Sequence, residues 1–259
     1  MYKNCILKRD VIMNKNVVIK SLLSIFFFTS IQSFEYCFGQ MPAKFYSQCG
    51  QDSFVYNTFF KNKTDGVFVD IGAHNGIDYS NTCFFEKHLG WKGICIEPIP
   101  NIFNQLRKNR DCICIEGCIY DKAGTIDFLQ VASNNGEFLS MLSGIVEKID
   151  VRQLNRIVSS TSNGSGTFEE IEVNCYKIND ILALHDIYHV DYLSLDTEGS
   201  ELEILKSIDF ERYTIDVIDV ENNFHESMFE EFLIAKGYKK LTELAWDDIY
   251  VRTAWYDNL

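Results

Sequence analysis

From Met41 onward, short apolar runs alternate with stretches whose apolar residues recur every three or four positions. The first pattern is that of strands buried on both faces and the second that of amphipathic helices, so their alternation predicts βαβ units and a mostly parallel sheet. A helix is expected from about Ser53 to Lys61, then a strand Val67–Ile71, a helix from about Ser80 to Leu89 and a strand Gly93–Glu97. Asn101, a good capping residue, is expected to start the next helix, ahead of a strand Cys112–Glu116. Residues 132–167 lose clear period and gain Ser, Asn and Gly. They read as an irregular insertion, either a lid or substrate loop or an unstructured excursion, with a helix near Ile145–Ile157.

Order returns with Glu169–Ile178, a helix Asn179–His185 and a strand Tyr192–Asp196. Ser200 and Glu203 have capping-box spacing for the helix behind it, and Val217–Glu221 and Ser227–Lys236 read as strand and helix. The final runs GYKKLTEL and DIYVR are separated by so few residues that they can pair only antiparallel, so the parallel sheet should end in a hairpin.

Residues 1–40 stand apart from the domain expected over 41–259. Lys15 and Lys20 precede an apolar run, Ser21–Ile31, too short for a comfortable membrane span, and a polar-aromatic stretch follows. This is the layout of a secretory signal, with Met13 as an alternative start and Cys37 and Gly39 at the small-residue positions before a cut. The expectation is export, as a secreted, periplasmic or lumenal protein, or as a signal-anchored one if the segment is not cut. A cytoplasmic location follows if the segment is no working signal, and a buried N-terminal helix is its plain alternative.

At 259 residues and 46% hydrophobic composition the chain can bury one sizeable core. A formal charge of −13 with no Lys/Arg block argues against nucleic acid as a partner. Nine cysteines is an odd number, and Cys95, Cys112 and Cys114 fall in apolar runs where cysteine acts as a small hydrophobe. CICIEGC lacks a paired CxxC, so no zinc site is expected, and export would let some unnamed pairs oxidise.

The chemistry concentrates in VDIGAHNG. Gly72 and Gly76 bracket three residues, unlike the GxGxxG spacing that lays a pyrophosphate on a helix end, which disfavours a nicotinamide oxidoreductase. A turn of this kind suits a compact zwitterionic nucleoside such as S-adenosylmethionine. Gly72 would let backbone approach the ligand, Asp70 would accept from its ammonium, and Asn75 and Gly76 belong to the same turn. The helix start around Asp78, with Ser80 and Asn81, would offer N–H groups to its carboxylate. Glu97, at the next strand end, sits where an acid can accept both ribose hydroxyls, although a strand-end Glu can also merely cap a helix. Asp70 and Glu97 are thus expected to grip opposite parts of one ligand. Near Gly117–Asp121, the Cys118 N–H or the Asp121 side chain would read the adenine edge.

YSQCGQDSFV, VFVDIGAHNGIDYSNT, GWKGICIEPIPN and YLSLDTEGSELEIL, in this order, resemble the FkbM family of S-adenosylmethionine-dependent methyltransferases over roughly Phe45 to Arg252. The resemblance implies a Rossmann-like class I methyltransferase fold, with a mostly parallel seven-stranded sheet and a C-terminal antiparallel hairpin. It also implies transfer to oxygen, commonly on sugars or natural-product hydroxyls, and a place for Gln51 and Asp52 near the donor, where capping is the simpler role for Asp52. The signal-like segment and the insertion are not part of the family pattern.

Methyl transfer from a sulfonium is an in-line displacement that needs alignment and, for an alcohol acceptor, a base. Asp196 is the first candidate for that base or for orienting the acceptor, and Glu198 the second, although a charge near a helix N-terminus is its plain reading. His225, in the loop after the fifth strand, has a suitable pKa, while loop histidines are commonly just surface. Asp196, Glu221 and His225 could also gather a divalent cation, a minor alternative, and no metal ligand is assigned. The expected function is S-adenosylmethionine-dependent O-methylation of a glycan or small hydroxylated metabolite, with a membrane met only through the N-terminal segment. The rival is a non-catalytic exported binding or trafficking module that keeps the fold.

Overall fold

In a computed structural model the structure describes residues 44–134 and 139–259. The signal-like segment, with Met13 and the expected cut, lies outside the described residues. Among the described residues no helix is long and apolar enough to cross a membrane.

Helix α1 (Gln51–Phe59) leads into strand β1 (Val67–Ile71), helix α2 (Cys83–Leu89), strand β2 (Lys92–Glu97), helix α3 (Pro100–Asn109) and strand β3 (Ile113–Glu116). After a second, smaller set of strands come α5 (Ile178–Leu184), β8 (His189–Leu195), α6 (Glu201–Ser207), β9 (Thr214–Glu221), α7 (Met228–Ala235), β10 (Tyr238–Leu244), β11 (Asp247–Arg252) and α8 (Thr253–Tyr256). The main sheet has seven strands in the order β10-β11-β9-β8-β1-β2-β3. All neighbours run parallel except β11, which is antiparallel to both β9 and β10. This is the doubly wound α/β sheet with the closing hairpin that the pattern predicts. Only Ala245 and Trp246 separate the two hairpin strands, and Ala245 takes φ 59 to make the turn.

The near-continuous apolar runs are explained by burial on both faces. Ile71, Ile94, Ile96, Leu193 and Ile218 pack toward α5, α6 and α7, while Phe68, Cys95, Tyr192, Val217 and Ile249 pack toward α1, α2 and α3. At about 25 cal/mol per Å² of apolar area removed from water, these two layers dominate the stabilisation of the sheet.

The expected irregular insertion is instead an ordered subdomain. Strands β4 (Cys118–Ile119), β5 (Gly124–Ser133), β6 (Gly144–Ile145) and β7 (Gly166–Tyr176) form a four-stranded sheet in the order β4-β7-β5-β6. Strands β5 and β7 pair antiparallel from Gly124↔Cys175 to Ser133↔Gly166. Helix α4 (Val151–Thr161) lies between them and starts later than the expected Ile145, where Asp150 caps it by accepting from Gln153 N at 2.9 Å. Its Ile157 seals a small core with Leu129, Val131 and Leu139.

Several helix starts also move. Helix α2 begins at Cys83 rather than Ser80, and α1 at Gln51 rather than Ser53, which brings Gln51 and Asp52 inside its first turn. Helix α3 opens on Pro100 at its first position, with Ile99 preceding it and no side-chain cap from Asn101. The capping box of α6 does not form. Ser200 Oγ donates to Thr197 Oγ1, Glu203 pairs with Lys148, and Glu201 accepts from the N–H groups of Thr197 and Gly199.

Candidate active site

Two of the cavities at the carboxyl edge of the main sheet, both open to solvent, span about 580 Å³ and about 1130 Å³. The first lies over the ends of β1, β2 and β8, and Gly72, Glu97, Cys118, Asp196 and Glu198 all line it. Its walls include Ile99, Phe128 and Ile145, so it is an apolar slot with acids at its rim. Segments from the subdomain, including Ser140 and Met141, complete it.

Gly72 has φ 89, and a Cβ there would lie 1.7 Å from the Asp196 carbonyl oxygen. The glycine is thus required by the approach of the chain after β8, and it also lines the first cavity. Gly72 N donates to Ile96 O at 3.1 Å, and Asp196 N donates to Ile71 O at 3.0 Å, which locks the three strand ends together. Glu97 is buried and accepts from Ile99 N at 2.8 Å and from the His74 N–H. Burial pushes its pKa up to about 7 against those two hydrogen bonds. Cys118, on β4, stands opposite Cys175 on β7.

Sequence reasoning missed His74. It has φ 47, lines the first cavity, and its Nε2 lies 2.9 Å from Ser140 Oγ, joining the β1–α2 turn to the subdomain. Burial lowers its pKa. The only local signal was its place between Gly72 and Gly76.

Five expected donor ligands, Asp52, Asp70, Asn75, Gly76 and Ser80, lie outside the lining of both cavities. Asp70 points to the opposite face of β1 from Ile71, stays outside the lining of both cavities, and accepts from Thr82 Oγ1 at 2.6 Å. Burial raises its pKa, opposed by the neighbouring Arg110. Asp70 and Glu97 therefore do not face a common cavity. Arg110 is the hub on this side: it donates to Glu86 at 2.7 Å, Gly76 O at 3.2 Å, Ser80 Oγ at 3.3 Å and Thr82 Oγ1 at 3.1 Å. Ser80 is thereby committed to the turn, where its Oγ also accepts from Cys83 N. Gly76 has φ 79, and a Cβ there would meet Leu106 at 2.6 Å and Arg110 at 2.7 Å, so it serves helix packing. The Asn75 side-chain Oδ1 accepts from Ile77 N and Asp78 N, closing the turn. Asp52 accepts from Tyr46 N at 2.6 Å and Ser47 Oγ at 2.6 Å, which anchors the segment before α1.

The second cavity is polar. Gln51, Asn81, Arg156, Asp196, Glu198, Glu221 and Asp247 line it, together with the exposed rings of Tyr79 and Trp246. Asn81 donates to Ser194 Oγ at 3.2 Å, and Gln51 donates to Asp247. Asp196, Glu198 and Met141 line both cavities.

The crowding of acids decides their chemistry. Burial first, then Glu198 and Asp247, hold the Asp196 pKa well above the carboxylate range, and Asp196 is hydrogen-bonded to Glu221. Glu221 is raised in the same way by burial and by Asp196. Two carboxylates in such contact share one proton. Glu198, at φ 56, is pushed up to about 7 by burial, with Arg156 opposing. Its Oε2 accepts from Arg156 at 2.8 Å, Gln153 at 2.8 Å and Asn223 at 3.3 Å. Asp247 is pushed up to about 6 by burial, with Gln51 opposing.

Oxygens of Asp196, Glu198 and Glu221 lie within 4.8 Å of one another, an arrangement open to a hard divalent cation. Glu198 stands where His225 was expected. His225 is exposed, takes φ 52 and contacts Glu243 Oε1 at 3.2 Å through Nδ1, outside the lining of either cavity. The turn in which His225 N donates to Asn222 O at 2.9 Å aims it toward β10 instead. A second cluster, His189, Asp191 and Asp216, lies at the opposite end of the sheet, where Lys63 and Arg252 already neutralise its carboxylates.

Residues 70–240 match the profile of the methyltransferase FkbM domain. The chain belongs to the FkbM methyltransferase family. The matched span begins at Asp70 and includes Glu97, Asp196, Glu198 and Glu221, so the edge of this FkbM domain where the two cavities meet falls within it. Among solved structures, the methyltransferase FkbM from Methylobacillus flagellatus KT is similar at 13% identity and a TM-score of 0.43 over 76% of this chain, which spans 47% of that one. The N-terminal domain of human METTL16 is similar at 12% identity and a TM-score of 0.41, covering 78% of this chain and 67% of that one. TrmK of M. capricolum, in complex with S-adenosylhomocysteine, is similar at 9% identity and a TM-score of 0.38, covering 80% of this chain and 68% of that one. No curated protein matches the chain.

Proposed function

We propose that the protein transfers a methyl group from S-adenosylmethionine to a hydroxyl of a glycan or small polyhydroxylated molecule. One observation carries this reading: Asp196 and Glu198 line both cavities, so an apolar slot of nucleoside character and a polar chamber meet at two acids. The donor's fit rests on Glu97, a buried carboxylate at the slot's rim whose partners are backbone N–H groups, and on the apolar walls of Ile99 and Phe128. Glu97 would hold the ribose hydroxyls, and Ile99 with Cys118 would flank the base. When bound, S-adenosylmethionine supplies an electrophilic methyl group.

The chain's own residues supply position and a proton sink. The Asp196–Glu221 pair, sharing one proton, keeps one negative charge at the junction and can accept the proton of an acceptor hydroxyl. Arg156 fixes Glu198 beside it. The chamber's several carboxyl groups and one arginine favour a neutral, hydroxyl-rich acceptor, because an anionic one would meet like charge. Exposed Trp246 and Tyr79 offer faces for the C–H groups of a sugar ring. Export of the mature domain is part of the proposal, on the strength of the segment Lys15–Ile31.

Calorimetric titration of S-adenosylmethionine into the wild type and Glu97→Ala tests the donor site. Binding is expected in the first and at least about tenfold weakening in the second; tight binding untouched by the change overturns the assignment. Donor turnover against a panel of neutral and acidic sugars tests the acceptor class.

A further inference from the structure

A thiol cluster lies at the edge of the main sheet, apart from both cavities. Cys95, in the middle of β2, is fully buried, and its Sγ lies 3.5 Å from Sγ of Cys112, which immediately precedes β3. Cys114 stands opposite Cys95 in the β2–β3 register, and its Sγ reaches the Cys112 carbonyl oxygen at 3.6 Å. Because β3 is the terminal strand of the sheet, Cys112 is only half-buried while Cys95 has no route to solvent.

The surroundings differ for the two sulfurs. Hydrogen bonds from Cys114 and Cys95 hold the Cys112 pKa low, with the adjacent Arg110 guanidinium adding to this, whereas burial drives the Cys95 thiol up. A partly exposed sulfur beside a cation, touching a shielded second thiol, is the arrangement in which a nucleophilic cysteine is paired with a resolving one. Elsewhere, the half-buried Cys49 thiol is raised by its own burial, and Cys118 and Cys175, thiols that neighbour each other, are both buried.

We propose that Cys112 and Cys95 form a reversible, peroxide-sensitive disulfide site in which Cys112 reacts first and Cys95 resolves. The Cys112 thiolate attacks one oxygen of hydrogen peroxide; the O–O bond breaks, hydroxide leaves, and Cys112 becomes a sulfenic acid. The Cys95 sulfur then attacks the Cys112 sulfur and expels that hydroxyl, which leaves as water with the Cys95 proton. In sum, two thiols are oxidised to one disulfide and one peroxide is reduced to two waters. Closing the 3.5 Å contact to a bond of about 2 Å requires side-chain rotation and a small shift of the chain before β3. Peroxide suits the site because a bulkier oxidant would have to enter the packed edge. The bond would tie edge strand β3 to β2, the strand that carries Glu97.

The test is to treat the full chain with equimolar hydrogen peroxide, alkylate it, and map its peptides by mass spectrometry. The expected result is a Cys95–Cys112 cross-linked peptide that dithiothreitol reverses, with Cys49 still alkylated, and a melting temperature a few degrees higher before reduction than after it. Cys112 found as free thiol, found as sulfinic acid without cross-link, or joined to Cys114 overturns the proposal. A Cys95→Ala variant should trap Cys112 as a sulfenic acid that dimedone labels; if that variant does not fold, the wild-type peptide map decides alone.

Discussion

Gly72 packs its α-carbon directly under the carbonyl oxygen of Asp196, so close that a Cβ would sit 1.7 Å from that oxygen. The contact fixes the distance between the β1–α2 turn and Asp196. Gly72→Ala must either push β8 away or abandon φ 89, and it is expected to cost about 3 kcal/mol or more and to abolish donor binding. Urea denaturation and calorimetry check both; a fully stable, binding-competent variant would contradict this account of the turn.

Glu97 sets function against stability. Its ordinary pKa of 4.5 rises to about 7 in the folded chain, so between those values the folded state holds a proton that the unfolded state has released. With more protons on the folded side, stability is full below about pH 4.5 and falls as pH rises toward 7, by about 3 kcal/mol for this group alone. Glu198, also raised to about 7, and Asp247, raised to about 6, act with the same sign. The wild type should therefore melt lower at pH 8 than at pH 5. Glu97→Gln, which cannot ionise, should melt higher than wild type at pH 8 while binding S-adenosylmethionine more weakly.

In the proposed reaction Asp196 serves the transfer rather than donor capture. Asp196→Asn should lower turnover by about 10²–10⁴-fold with donor affinity within about threefold of wild type. In the wild type, the rate should rise with pH through about 7, where Glu198 beside the pair ionises, and Glu198→Gln should flatten that limb. Steady-state kinetics across pH with an identified acceptor measure each effect, and an unaltered rate in Asp196→Asn would rule the residue out as base.

Arg110 carries the opposite face of the β1–α2 turn. Removing it in Arg110→Met leaves Asp70 buried without a neighbouring cation and Glu86 with Lys87 alone, and should cost about 3 kcal/mol. Asp70→Asn keeps an acceptor for Thr82 and should cost no more than about 1.5 kcal/mol. Paired denaturation curves separate the two; equal losses would mean that Asp70, not Arg110, organises the turn.

His225→Ala should leave turnover within about twofold of wild type, because the ring is exposed and contacts only Glu243 among the described acids. A large loss would return this residue to the site.

Much of the frame was legible in the pattern alone. Runs such as Val67–Ile71 and Tyr192–Leu195 are apolar at every position save Asp70 and Ser194, which announces strands covered on both sides, and the brief gap between the last two runs forces the antiparallel pair. The subdomain escaped notice for a physical reason. Strand β7 exposes most of its first seven residues, so its pairing with β5, not burial, makes it a strand, and pairing between distant segments leaves no local period. Helix starts moved by two residues at α1 and by three at α2, where Ser80 Oγ accepts from Thr82 N and Cys83 N ahead of the helix instead of lying inside it.

What the sequence determined by itself is local: which segments are strand or helix, that acids stand at the ends of β2 and β8, and that a glycine turn follows β1. Tertiary structure decided which of these acids meet. Asp70 and Glu97 each sit at a strand end, yet Arg110, arriving from the end of α3, claims the face toward which Asp70 points, while the subdomain encloses Glu97 with His74 and Asp196. Side-chain direction follows the pleat, but what covers each face depends on segments tens of residues away, and no window of neighbouring residues contains that information.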